Sequence, residues 1–197
     1  MKRFSALLIT LVLIALLTAC APDSFGHEIY TDVKDYQKIF ELQEMRTYDG
    51  ELEDLFPESV DNLEVKDFYC EWELGIVGSA DVEIHLAVEY PDDELKTETQ
   101  RLESLADGKL IYDTENFSYP AYVSVLGYMN TSIYALVDED SSTVHYVFLQ
   151  LLNEERIDMD KELLPKGYSG FGDVQGTTYN VYESVPAEFT TLVVEDI

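Results

Sequence analysis

Three histidines, two cysteines and 40 carboxylates make up most of the chemistry this chain can offer. His27, His85 and His145 lie far apart, with no HExxH and no two histidines at short ligand spacing. A metal centre would have to assemble from distant residues, and none is expected. His85 stands beside Glu83 and Ala87 on the polar side of an alternating run, and His145 stands among Val144, Tyr146 and Val147. The stretch Gly167-Tyr168-Ser169-Gly170-Phe171-Gly172 is G-x-S-G-x-G. It lacks the strand-to-helix setting of a nucleophile elbow and the Lys-Ser/Thr ending of a P-loop, so it reads as a surface loop. Asp138-Glu139-Asp140-Ser141-Ser142 opens like a calcium loop but has Thr143 where Gly is required and Leu149 where Glu is required. Asp158-Met159-Asp160 fails in the same way, with Leu163 and Ser169 at those places. Cys70 alternates with Phe68, Trp72 and Leu74, which puts all four on one face of a strand and predicts a buried, inert thiol. No catalytic set, no cofactor and no metal site is expected from these patterns. A pair of working carboxylates is beyond the reach of sequence, because their separation across a cleft decides what they do.

Composition narrows the partners. With 197 residues, 12 Lys and Arg against 40 Asp and Glu, and a net charge of −28, the chain has no basic patch with which to hold phosphates. Nucleic acid is therefore excluded as a ligand. A hydrophobic fraction of 46%, with 14 Tyr and 9 Phe, is enough to bury a core, and the length suits one domain.

The first twenty residues read as an address. Lys2 and Arg3 precede an apolar run from Ala6 to Leu17, broken only by Thr10. At about 12 residues it is too short to span a bilayer, which needs roughly 20, but it suits a secretory signal. The run ends Leu17-Thr18-Ala19-Cys20. This resembles the lipobox of bacterial lipoproteins. The resemblance implies cleavage before Cys20, a diacylglyceryl thioether on its sulfur, and a place on the outer face of the cell membrane. It implies a signal peptide over residues 1–19 and leaves Cys70 as the only free thiol. Two acyl chains at about 0.8 kcal/mol per buried CH2 make a firm anchor. Ala21 to Tyr30 then reads as a short polar tether, and residues 31–197 as a single domain.

The elements follow from hydrophobic spacing. Thr31 is expected to cap a helix from Asp32 to about Met45, with Val33, Tyr36 and Phe40 on its apolar side. Residues 51–62 read as irregular with one short turn. Asp67 to Leu74 and Asp81 to Tyr90 read as strands, and the strict alternation of the second predicts one wet face. Pro91-Asp92-Asp93-Glu94 opens a helix, since proline and acids suit a first turn. A brief strand is expected at 109–112. Strands are expected at 119–129, 132–138 and 143–152, apolar on both faces and so central and covered. A short helix at 158–164 and strands at 178–183 and 190–195 complete the reading. Strand-borne tyrosines (Tyr119, Tyr122, Tyr128, Tyr134, Tyr146, Tyr179 and Tyr182) are assigned to core and sheet surface.

This order predicts an α+β fold: a mainly antiparallel sheet with two or three helices in a single domain. The expected function is a noncatalytic binding or accessory protein of the cell envelope, taking a protein or an envelope ligand and held to the membrane through Cys20. The alternative is a membrane-anchored hydrolase acting on envelope polymers through carboxylates, with His85 or His145 as acid and base.

Overall fold

The alternation read from the sequence closes into one antiparallel sheet. The computed structural model describes residues 26–42, 52, 54–74, 80–106, 110–128, 131–150, 152 and 154–168. Seven strands, β1 (His27–Tyr30), β2 (Glu64–Leu74), β3 (Ala80–Glu89), β4 (Ile111–Asp113), β5 (Ala121–Tyr128), β6 (Thr131–Asp138) and β7 (Thr143–Gln150), lie in the order β1-β2-β3-β7-β6-β5-β4. Two meanders, β1–β3 and β4–β7, thus meet where β3 pairs with β7. The helix α1 (Asp92–Ala106) carries the chain from the centre of the sheet to its far edge. The result is an α+β domain, mostly sheet, as expected from the order of elements, with a 3-10 helix and an α-helix among the described residues beside a last 3-10 turn. No helix among the described residues is long and apolar enough to cross a membrane.

One face of the sheet packs under the helices. Phe68 and Cys70 of β2, Val82, Ile84, Leu86 and Val88 of β3, and Tyr146 and Phe148 of β7 form its core with Tyr36, Ile39, Leu55, Phe56 and Leu102. Arg101 of α1 donates to the carbonyls of Asp54 (2.5 Å) and Leu55 (2.7 Å) and pairs with Glu98, whose other contact is the Tyr146 hydroxyl at 2.6 Å. Charge is therefore admitted under the helix only where it is bonded on every side. The opposite face is covered over β5–β7 by Phe117, Leu152, Ile157, Met159, Leu163, Leu164 and Tyr168, which pack on Val123, Tyr134, Leu136, Val147 and Leu149.

Several expectations are corrected. The first helix is a 3-10 helix, Val33–Glu41, and its cap is Asp32, whose carboxylate accepts from Lys34 N, rather than Thr31. Its buried residues Tyr36 and Ile39, with the C-cap Leu42, recur every three positions, the period of a 3-10 helix. Residues 27–30, read as the end of the tether, form edge strand β1, so the ordered domain begins earlier than residue 31. Gly26 leads into it at φ +74°, and a Cβ there would lie 2.6 Å from the Trp72 ring. The supposedly wet face of β3 is buried at Glu83, His85 and Ala87. The helix expected over 158–164 is a single 3-10 turn, Lys161–Leu163. Tyr122, Tyr134 and Tyr146 are buried as expected. The strands expected at 178–183 and 190–195, with Tyr179 and Tyr182, lie outside the described residues, as do Cys20 and the signal segment.

Candidate functional site

The face of the sheet that carries the apolar cover over β5–β7 changes character across β1–β3. Strand period two puts His27 and Ile29 of β1, Asp67, Tyr69, Glu71 and Glu73 of β2, and Asp81, Glu83 and His85 of β3 on it. Register then sets acids against acids: Glu71 opposes Glu83 and Glu73 opposes Asp81. Like charges directly across a strand pair are destabilising, so each rung needs a compensator. Arg156 supplies one, donating to Glu73 (2.7 Å) and to Asp81. Glu71 takes bonds from Tyr69 Oη and His27 Nε2, both at 2.7 Å. Burial pushes the Glu71 carboxyl up, but those two bonds outweigh it and leave its pKa below the ordinary value.

Glu83 is the most enclosed of these acids, only 1% exposed. Its two oxygens accept the backbone N–H of Asp158 (3.1 and 2.9 Å) and of Met159 (2.9 Å). These bonds pin residues 158–159 to the sheet, but burial dominates and raises the Glu83 pKa.

The two histidines meet here. Asp67 and His145 both flank Ala87 in register, one from β2 and one from β7. Strands about 4.8 Å apart leave such flanking residues some two strand spacings apart, too far for direct contact. His85 bridges them: its Nδ1 lies 3.0 Å from Asp67 Oδ2 and its Nε2 lies 3.1 Å from His145 Nδ1. The two rings are nearly parallel, at 7°. His85 is 4% exposed, whereas the Asp67 side chain is 61% exposed, so the chain runs from water into the sheet. The hydrogen bond from His85 holds the Asp67 carboxyl below its usual range. Burial, and then the neighbouring His85, lower the His145 pKa to about 4. Beside this chain a cleft of about 430 Å³ is lined by Thr31, Asp67, Tyr69, His85, Met159 and Asp160, among others.

His27 does not join the other two histidines; it stays with Glu71. Cys70 is fully buried on the opposite face of the sheet, as its alternation predicts, and burial pushes its thiol up to about 12. It cannot pair with either strand-borne histidine. Asp138 turns inward on its own hairpin, accepting from Asp140 N (3.0 Å) and Ser141 Oγ (2.6 Å), and Asp160 accepts from Glu162 N (3.0 Å). Asp138 and Asp160 thus each serve a turn. Among the described residues no group of three or more His, Cys, Asp or Glu is arranged to hold a metal ion. Tyr168 belongs to the apolar cover, Gly167 precedes it exposed at φ +77°, and Ser169 lies outside the described residues.

Sequence reasoning missed Asp67, Tyr69, Glu71, Glu83 and Arg156. Tyr69 bonds Glu71 two residues along its own strand, but the others gain their roles from partners 18 to 83 residues away, which no local spacing announces. The chain matches no protein-family model, no curated protein and no solved structure.

Proposed function

We propose that this is a lipid-anchored extracytoplasmic protein of the cell envelope, held through Cys20, that binds a protein or envelope ligand without transforming it. The observation behind the binding half of this reading is the β1–β3 part of the second sheet face. There an open cleft adjoins a row of ionisable side chains whose bonds run to one another and to backbone. The anchoring half rests on the lipobox. A photoreactive residue in place of Asp67, crosslinked in the native host, should yield a discrete adduct that the same residue at Tyr112 on the far edge strand does not. Equal adducts from both positions would overturn the assignment of the surface. Cys20→Ala should abolish the mature acylated form; acyl-labelled mature protein from that variant would overturn the anchor.

The second reading, a membrane-anchored hydrolase, is favoured by one observation, the Asp67–His85–His145 chain, in which an acid orients a histidine that orients another. Such a site would act on water held by His145. Release of fragments from envelope polymers by wild-type protein and not by His145→Asn would establish it over the binding reading.

A further inference from the structure

The Asp67–His85–His145 chain can count protons. A carboxylate only accepts, so His85 Nδ1 carries a hydrogen toward Asp67. That leaves His85 Nε2 as a lone pair, which accepts the Nδ1–H of His145 across 3.1 Å. A first added proton can reside on His85 Nε2. The ring then faces the Asp67 carboxylate as an imidazolium and donates to His145, whose tautomer shifts its hydrogen to Nε2. Every bond in the chain survives. A second proton leaves N–H against N–H with no acceptor between them, and two positive rings in contact.

We infer that this chain is a two-step proton switch: the first proton is held with all hydrogen bonds intact, and the second breaks the bond between the rings and loosens the β3–β7 junction beside the cleft. The groups that face the pair come from every neighbouring element. They are Asp67 and Tyr69 from β2, the second directly opposite His85 in register, Asp138 from the end of β6, Asp160 ahead of the last 3-10 turn, and the Tyr119 ring from the segment before β5. The three carboxylates favour the first proton. None of them supplies an acceptor between the two facing nitrogens, where the second proton does its damage. The low pKa of His145 agrees with this order. As a gate on ligand binding the switch rests on the reading of the cleft given above, but its protonation chemistry does not.

The test is a histidine titration of the full-length protein in detergent micelles, labelled with 15N-histidine and followed from pH 8 to 3.5. His27, exposed and bonded to Glu71 away from the chain, is the internal reference. His85 and His145 should titrate in two steps more than about one pH unit apart, as strongly coupled sites do. The lower step should coincide with lost amide protection in β3 and β7. Asp67→Asn should lower the first step by about one pH unit, the effect of removing an opposite charge. His145→Asn should remove the second step together with the loss of protection. Independent titration of both histidines near about 6.5, with protection unchanged, would overturn the switch. Should a variant fail to fold, the wild-type 15N shifts above pH 7 still decide, since a His85 carrying its hydrogen on Nε2 contradicts the chain.

Discussion

Two halves of one sheet face solve the same problem in opposite ways. Over β5–β7 the face carries Val123, Tyr134, Leu136, Val147 and Leu149, and an apolar cover removes them from water. Over β1–β3 the same face, with the same pleat, carries Asp67, Tyr69, Glu71, Glu73, Glu83 and His85. The first half gains roughly 25 cal/mol per Å² of apolar surface buried. The second gains little: a hydrogen bond contributes about 1 kcal/mol net and an exposed ion pair about 0–1. Acids set against acids are a liability that the β5–β7 half avoids. The polar half is therefore not what holds the fold together.

The sharpest way to break this comparison is to remove one large side chain from each half. Leu136→Ala empties a fully buried position under the cover and should cost about 2–5 kcal/mol. Tyr69→Ala, at a half-buried position, should cost less than half as much. Urea unfolding of the two variants reads both values. A Tyr69→Ala loss equal to that of Leu136→Ala would show that the polar half is core after all.

The apolar half was legible in the sequence and the polar half was not. Thr131–Asp138 and Thr143–Gln150 agree with the expected strands to within two residues, because apolar side chains on both faces admit only a central strand. Pro91 and the acids after it announced α1 for equally local reasons. The period of three in Tyr36, Ile39 and Leu42 was also present, but Phe40 completes an α-helical spacing just as well, and only packing separates the two. β1 has four residues and no alternation of its own; its partner β2 makes it a strand. Glu83 followed the rule for a solvated strand face and still became buried, because Asp158 and Met159 reach it from 75 and 76 residues away. His85 and His145 were singled out, yet nothing local could show that β7 lies beside β3.

The histidine pair sets an effect that depends on pH. Its folded pKa of about 4 at His145 lies below the ordinary 6.5, so the folded state binds fewer protons than the unfolded one between those values. Stability from this group is complete above about pH 6.5 and falls as the pH drops toward 4. The ceiling is about 3 kcal/mol at 1.36 kcal/mol per pH unit, reduced by the solvent that His145 still meets. His145→Asn should flatten the acid limb of the stability curve by about 1–2 kcal/mol between pH 6.5 and 4. An unchanged limb in that variant would place the acid sensitivity elsewhere.

Glu83 works with the opposite sign. Its raised pKa means that the folded state holds its proton more tightly than the unfolded state does, so its titration disfavours the fold as the pH rises through that range. Glu83→Gln keeps a carbonyl acceptor for one of the two pinned N–H groups and removes that titration. Glu83→Ala abandons both donors, and should cost about 1–3 kcal/mol. Gln should therefore be the milder change, by at least about 1 kcal/mol at pH 7. Equal losses by thermal unfolding would mean that the carboxylate charge, rather than its acceptor geometry, holds residues 158–159.

The smallest effect concerns Arg156, and salt separates its two contributions. Its guanidinium bridges Glu73 and Asp81, which oppose each other in register. The side chain is 41% exposed, so each ion pair contributes at most about 1 kcal/mol. Arg156→Ala also leaves two carboxylates facing each other, a repulsion that belongs to the variant alone. Both effects are screened as the Debye length shrinks from about 30 Å at 0.01 M to about 3 Å at 1 M salt. The loss on Arg156→Ala should thus be about 0.5–1 kcal/mol in dilute buffer and fade toward zero in concentrated NaCl. The wild type, with 12 basic side chains against 40 acids, should itself gain thermal stability over the low end of that range, because repulsion outnumbers the pairs that salt weakens. The variant should gain more, since it has lost attraction and acquired repulsion at the same rung. Equal NaCl slopes for the two proteins would show that the acids opposed across β2 and β3 are relieved by water alone, and that Arg156 is not their compensator.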